Sequence, residues 1–355
     1  MAKKTTIGGQ ALIEGIMMKG PKKTAIAVRM ADGSIDISYM PEKHIRDKFK
    51  PLGWPIIRGV VVFVESMVSG YKALMFSADK SGFTDLDEKD GIGNKELKIE
   101  SEVIEQGEVK EKNEYETYVE TESQPVKDKH SNEKEKDSKD SALIGAVMII
   151  GSVLGVFLAL VLFMWLPAFI FNIINNAAGG AINGWRSVIE GTMKIMIFVA
   201  YISCVSLMSD IKRVFMYHGA EHKTIFCYEG GQELTVDNVR KQQRFHPRCG
   251  TSFLILMLLI GIVINGLIAS TFPAVTQFIV LWVAIKLLML PLVCGIGYEL
   301  IKICGRYENI ATRIISAPGM WLQRLTTKEP DDTMIEVAIA SLQAVKPENP
   351  EEDKW

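Results

Sequence analysis

Near the N-terminus apolar and polar positions alternate with period two, and this predicts strands. TAIAVRM (24–30) and IDISYM (35–40) flank ADGS, whose Asp32-Gly33 is a turn dipeptide, so a hairpin is expected. IGGQALIEGIMMKGP (7–21) reads as another strand or two, interrupted by Gly8, Gly9, Gly15 and Gly20. The period then becomes helical. RGVVVFVESMVSGYKALMFSA (58–78) is apolar at helical spacing but carries Arg58, Glu65 and Lys72. Residues 58–79 are therefore expected to form an amphipathic helix on a membrane or against a helix bundle.

The longest apolar stretch, Ala142 to Trp185, has 44 residues without one Asp, Glu, Lys or Arg. About 20 apolar residues cross a hydrocarbon core of roughly 30 Å, so a plain soluble globule is excluded. Hydropathy predicts four spans, at about 143–166, 192–208, 253–271 and 276–297, which gives one transmembrane pair in 142–208 and another in 253–297. Pro167 and the segment NIINNAAGGAING are expected to end the first span and start an interfacial excursion, a re-entrant pair being the alternative. In the tail (298–355), Ile335, Ala338, Ile339, Leu342 and Val345 form one apolar stripe, so 331–345 should be a docked helix.

Charge sharpens this picture. The net charge is -2, yet residues 84–140 hold 19 of the 42 acidic and 10 of the 40 basic residues. That window carries -9 and the rest of the chain +7. Residues 80–141 are thus expected to be a disordered charged linker, with His130 spare. Lys/Arg counts orient the spans. Segments 1–57, 209–252 and 298–355 carry ten, seven and seven, whereas 167–191 has only Arg186 and 272–275 has none. Both termini and the central loop are expected in the cytosol, at the cell membrane. MAKKTTIGGQ has no apolar core behind its lysines and reads as no signal peptide. Five cysteines without a C-x-x-C pair fit a reducing compartment. Membrane lipids are the expected partners, and a nucleic-acid partner is not expected.

The expected architecture is an α-helical multi-pass membrane protein with a small α/β cytosolic domain, assembled from the β-rich 1–57, the 209–252 loop and the tail. Lys286 falls inside the fourth span and should be paired within the bundle, line a wet cavity, or mark a span boundary that lies elsewhere. Glu299 follows the Pro291, Gly295 and Gly297 breaks, and with Glu14 and Arg306 it is expected to close a polar site around the central loop.

Candidate chemistry concentrates in YHGAEHKTIFCYEGGQELTVDNVRKQQRFHPRCGTSF (217–253). His218 and His222 lie four apart on one helix face, where two imidazoles converge on one ion. Glu221 between them gives H-x-x-E-H, the inverted zinc-protease pattern in which the carboxylate is a general base. His246 and Cys249 form H-P-R-C, a gap suited to chelation. Imidazole and thiolate favour Zn²⁺ or a neighbouring first-row ion. The expected set is His218, His222, His246 and Cys249 as ligands and Glu221 as catalytic base. All four ligands together would instead close a structural site; three would leave an open, catalytic position. TIFCYE (224–229) reads as a strand ending at Gly230-Gly231, with Cys227 and Glu229 on one face and Glu229 a ligand or its partner. ELTVDNVRKQQR reads as a helix capped by Thr235.

GGQALIEGIMMKGP (8–21), YHGAEHKTIFCYE (217–229), HPRCGTSF (246–253) and PGMWLQRLTTKEP (318–330) resemble, in order, the signature blocks of the YqhQ-like bacterial membrane proteins. Those proteins are described as predicted metal-dependent enzymes, and the resemblance implies a multi-pass protein with a cytosolic face. The leading expectation is metal-dependent hydrolysis at that face. A transporter or ion-handling protein, in which Lys286 and Glu299 belong to the pathway, and a scaffold stapled by a structural metal are the alternatives.

Overall fold

The computed structural model describes residues 4–41, 49–81, 101–105, 108–110 and 150–353, apart from 152 and 308. It is mostly helical, with one antiparallel sheet. Strands β1 (Gly8–Leu12), β2 (Gly15–Lys19), β3 (Thr24–Arg29) and β4 (Ile35–Met40) form a meander, and Gly33 takes the left-handed conformation (φ 88°) that its turn requires. The helices are α1 (Ile57–Lys80), α2 (Val153–Ala177), α3 (Arg186–Val205), α4 (Ser209–Glu229) and α5 (Val236–Arg240). They continue as α6 (Gly250–Thr271), α7 (Ile279–Arg306), α8 (Ile310–Thr326) and α9 (Asp332–Val345).

Strand alternation sorts the sheet's side chains onto two covered faces. Ile16, Met18, Ala25 and Ala27 pack with Tyr217 and Ala220 of α4 and with Met334, Ile335, Ala338 and Leu342 of α9. Leu12, Met17, Ile26 and Val28 face the other way, onto Ala73 of α1. The stripe on the tail helix is therefore buried against β2 and β3. The first half of α1 instead meets α7. A Cβ on Gly59 would lie 2.7 Å from Tyr298 Cβ and 3.0 Å from Gly295 Cα, and Arg58 pairs with Glu299 at 2.5 Å.

Among the described residues five helices, α1, α2, α3, α6 and α7, are long and apolar enough to cross a membrane, one more than hydropathy suggests. Many of their apolar side chains face outward. Val280 is 78% exposed and Leu288 71%, an arrangement stable in lipid and costly in water. The chain is accordingly a multi-pass membrane protein.

Several local expectations are corrected. The first span does not stop at Pro167 but runs to Ala177. A π-helical turn, Val161–Trp165, precedes the proline, which then sits in a first turn where its missing N–H needs no partner. The helix of the second expected span, α3, begins at Arg186, whose charge is met inside the bundle. Arg186 Nε donates to Glu190 Oε1 (2.8 Å), Lys286 pairs with Glu190 Oε2, and Trp282 Nε1 donates to the same carboxylate (3.1 Å). Residues 224–229 are helix rather than strand. Thr224 Oγ1 donates to Ala220 O (2.8 Å), and burial from Tyr217 to Ile225 overrides the strand propensity of TIFCYE. Within the stretch expected to be pure linker, β5 (Ser101–Glu105) and β6 (Glu108–Lys110) extend the sheet beyond β4, where Val103 and Ile104 meet its otherwise open edge. The rest of that stretch, His130 included, lies outside the described residues.

Candidate metal centre

Helix α4 positions the site. Its His218 and His222 project from one face, with ring centroids 4.4 Å apart. Cys249 arrives from the loop before α6, where it is the N-cap; its Sγ accepts from Thr251 N at 3.4 Å. His218 Nε2 lies 3.1 Å from Cys249 Sγ, and the ligand atoms of His218, His222 and Cys249 all fall within 4.8 Å of one another. Both imidazoles are aimed from behind by main-chain carbonyls. His218 Nδ1 meets Thr326 O at 2.8 Å, and His222 Nδ1 meets Arg244 O at 2.5 Å. An N–H at each Nδ1 leaves the Nε2 lone pair free on the side of the sulfur, as in the outer contacts of metal-bound histidines. His222 Nε2 is buried and has no hydrogen-bond partner among the described residues.

The electrostatics suit an anion–cation pair. Burial pushes the Cys249 thiol up, but His218 and His222 outweigh it and hold the group well below the ordinary thiol range. His218 loses basicity to burial yet is raised to about 9 by the facing sulfur. Glu221 is buried on the same helix, its Oε2 4.0 Å from His218 Nε2, and burial raises its pKa above the usual carboxylate value. It rests on β1, where a Cβ on Gly9 would meet Glu221 Cγ at 2.8 Å. The glycine-rich strand makes room for this carboxyl.

His246 does not join the cluster. Its Nε2 lies 4.0 Å from Glu229 Oε2 and 3.3 Å from Arg248 Nη2, and burial drives its pKa down to about 4. Glu229 also pairs with Arg248 and accepts from Thr5 N (2.8 Å). Burial raises that carboxyl, but the neighbouring His246 and the Arg248 charge more than compensate and hold it low. Glu229 is thus a partner of His246, and Cys227 is buried elsewhere on α4 with its Sγ toward Glu233 O (3.5 Å). Glu14 pairs with Arg213 (2.5 Å), Glu299 with Arg58, and Arg306 lies over the Tyr307 ring, so these three do not close a polar site around the histidines.

Sequence reading missed the supports. Gln323 holds the 246–249 loop in both directions: its Oε1 accepts from His246 N (2.7 Å), and its Nε2 donates to His246 O (2.7 Å) and Ser252 Oγ (3.0 Å). Buried Lys223 donates to Arg240 O (2.8 Å) and pairs with Glu329. Gly219 lets the 326–330 segment close on α4, since a Cβ there would lie 2.1 Å from Lys328 O. The advance signal for these residues was their place in two sequence blocks, Gln323 and Glu329 in Q-R-L-T-T-K-E-P and Gly219 and Lys223 in Y-H-G-A-E-H-K-T-I-F-C-Y-E.

Residues 54–348 match the family described as "Protein of unknown function (DUF1385)". The chain is also 31% identical over 337 residues to a Bacillus subtilis (strain 168) protein described as "Uncharacterized protein YqhQ", covering 94% of this chain and 90% of that one. No solved structure matches. The chain belongs to this YqhQ-like DUF1385 family.

Proposed function

We propose that this member of the family is a metal-dependent hydrolase of the cytosolic membrane face, holding one Zn²⁺-type ion on His218, His222 and Cys249. The reading is carried by His222 Nε2, a buried ring nitrogen without a partner that faces the His218–Cys249 pair. Such an atom is costly to bury unless something binds it. Two imidazoles and a thiolate are a borderline-soft donor set, the one expected for zinc. When bound, such an ion supplies Lewis acidity and acidifies a water that occupies an open position. His246's commitment to Glu229 and Arg248 supports a three-ligand, open set over a closed structural one. Glu221 is the residue placed to accept a proton at Oε2, and Gly9 fixes where that oxygen lies.

Four of the five long helices cross the bilayer in this reading. Helix α4 packs on the same sheet as the N-terminus, so an even number of crossings separates them; α2 and α3 supply two. Helix α1 is held between the sheet and the Gly295–Tyr298 stretch of α7, and supplies none. Helices α6 and α7 return the chain to α9, on that sheet again. The Lys/Arg asymmetry supports a cytosolic position for the shared side, both termini included, in a plasma-membrane protein.

The test is metal analysis of protein purified without chelator. Wild type and Glu221→Gln should carry one equivalent of a transition metal, while His222→Ala and Cys249→Ser should carry none. Metal-free wild type would end the proposal. Retention of metal by Cys249→Ser together with its loss from His246→Ala would reassign the ligands.

A further inference from the structure

Helices α2, α3, α6 and α7 line a partly open cavity of about 320 Å³ that no part of the metal reading uses. One end is polar. Glu190, Lys194, Lys286 and Asn265 line it there, and Arg186 backs Glu190 while donating to Asn172 Oδ1 (2.7 Å). The rest is an apolar shaft walled by Phe198, Leu254, Met257, Leu258, Leu290 and Val293. It runs toward the end of α6 that Cys249 caps.

The polar end has an excess of positive charge. Three cations, Arg186, Lys194 and Lys286, share one carboxylate. Glu190 is already saturated by Arg186, Lys286 and Trp282. Lys194, one helical turn further along α3, makes no hydrogen bond or ion pair among the described residues. In a helix bundle inside a bilayer, an ammonium whose nearest carboxylate, Glu190, is already engaged by Arg186, Lys286 and Trp282 is strongly disfavoured and marks a ligand or ion site. A volume of 320 Å³ is in the range of small-molecule sites, roughly 300–1,000 Å³, more than a lone small anion fills. A cationic end joined to an apolar shaft has the chemistry of an amphiphile's complement.

We infer that this cavity binds an amphiphile with an anionic headgroup, its carboxylate or phosphate on Lys194 beside Lys286 and its acyl chain along the α3–α6–α7 shaft. The site is separate from the His/Cys centre and stands whether or not that centre holds a metal.

The test uses full-length protein in phosphatidylcholine nanodiscs and a fatty acid bearing a mid-chain diazirine. Photolysis should label peptides of α3, α6 and α7 saturably. Unlabelled palmitate should displace the probe, whereas palmityl alcohol and inorganic phosphate at the same concentration should not. A Cβ on Gly261, which lines the cavity, meets nothing within 4 Å, so Gly261→Leu fills the void without a backbone clash and should cut labelling at least tenfold. Lys194→Gln should remove the preference for palmitate over the alcohol, and it carries the test alone if Gly261→Leu fails to fold. Equal displacement by the alcohol, labelling that survives both substitutions, or labelling confined to outward faces of the helices would overturn the inference. Displacement by phosphate alone would do so too, by assigning the site to a water-soluble anion.

Discussion

Replacing Glu190 by Gln keeps the shape of the side chain and removes the only carboxylate in the buried bundle cluster. Glu190 is 2% exposed and receives Arg186 Nε at 2.8 Å, Trp282 Nε1 at 3.1 Å and the Lys286 ammonium. All three are charge-assisted bonds, each worth roughly 1.5–3 kcal/mol, and those from Arg186 and Lys286 are also ion pairs. Their loss leaves Arg186 and Lys286 facing each other without a counter-charge. Breaking a buried ion pair from one side costs about 3–5 kcal/mol, and that is the expected destabilisation. Lys286→Met should be milder, because Arg186 still neutralises Glu190. In the Lys286→Met background, Glu190→Gln should cost about 1–3 kcal/mol less, the size of coupling found between residues of one network. Equilibrium unfolding in mixed micelles, with all four proteins in one double-mutant cycle, measures these values. If Glu190→Gln matches wild type within about 0.5 kcal/mol, or if the two changes simply add, the charges do not hold the bundle together and the reasoning fails.

Other consequences can be checked separately. In a single-cysteine protein, Gln232→Cys should resist an impermeant thiol reagent in intact cells and Ala181→Cys should react; the reverse pattern would refute the four-crossing topology. Replacing residues 85–138 by a flexible Gly/Ser linker should leave expression and membrane insertion intact, because that stretch is rich in charge and poor in apolar residues; loss of stable protein would show a folding role for β5 and β6. Gly219→Ala should destabilise by about 1–3 kcal/mol or more, since the added Cβ meets a main-chain oxygen that cannot rotate away. Unchanged thermal stability of that variant would mean that the 326–330 segment is not pinned to α4.

Local signals in the sequence were enough for the N-terminal hairpin, the tail helix and the pairing of His218 with His222. In each, the information lies within one turn or one helix face: Asp32-Gly33, the Ile335-to-Val345 stripe, and a spacing of four. What was not legible depends on distant partners. Lys286 finds Glu190 96 positions away, and the same carboxylate meets Arg186 at the start of α3. His246 has the spacing of a ligand beside Cys249, but Glu229 and Arg248 take its ring. Residues 224–229 have the alternation of a strand, and only burial on several sides, against the sheet and the 326–330 segment, decides for helix.

The hydrogen bond between His218 and Thr326 spans 108 residues. At about 5–20 residues per second, a ribosome needs roughly 5–20 s to travel that distance. During that interval the histidines of α4 exist without the carbonyl that orients one of them, and without the glutamine that holds the His246–Cys249 loop in place. The centre is therefore completed only after the last transmembrane helix has left the ribosome. Membrane insertion comes first and completion of the His218–His222–Cys249 cluster second, so a chain arrested before Thr326 would be inserted but would lack the carbonyl that aims His218.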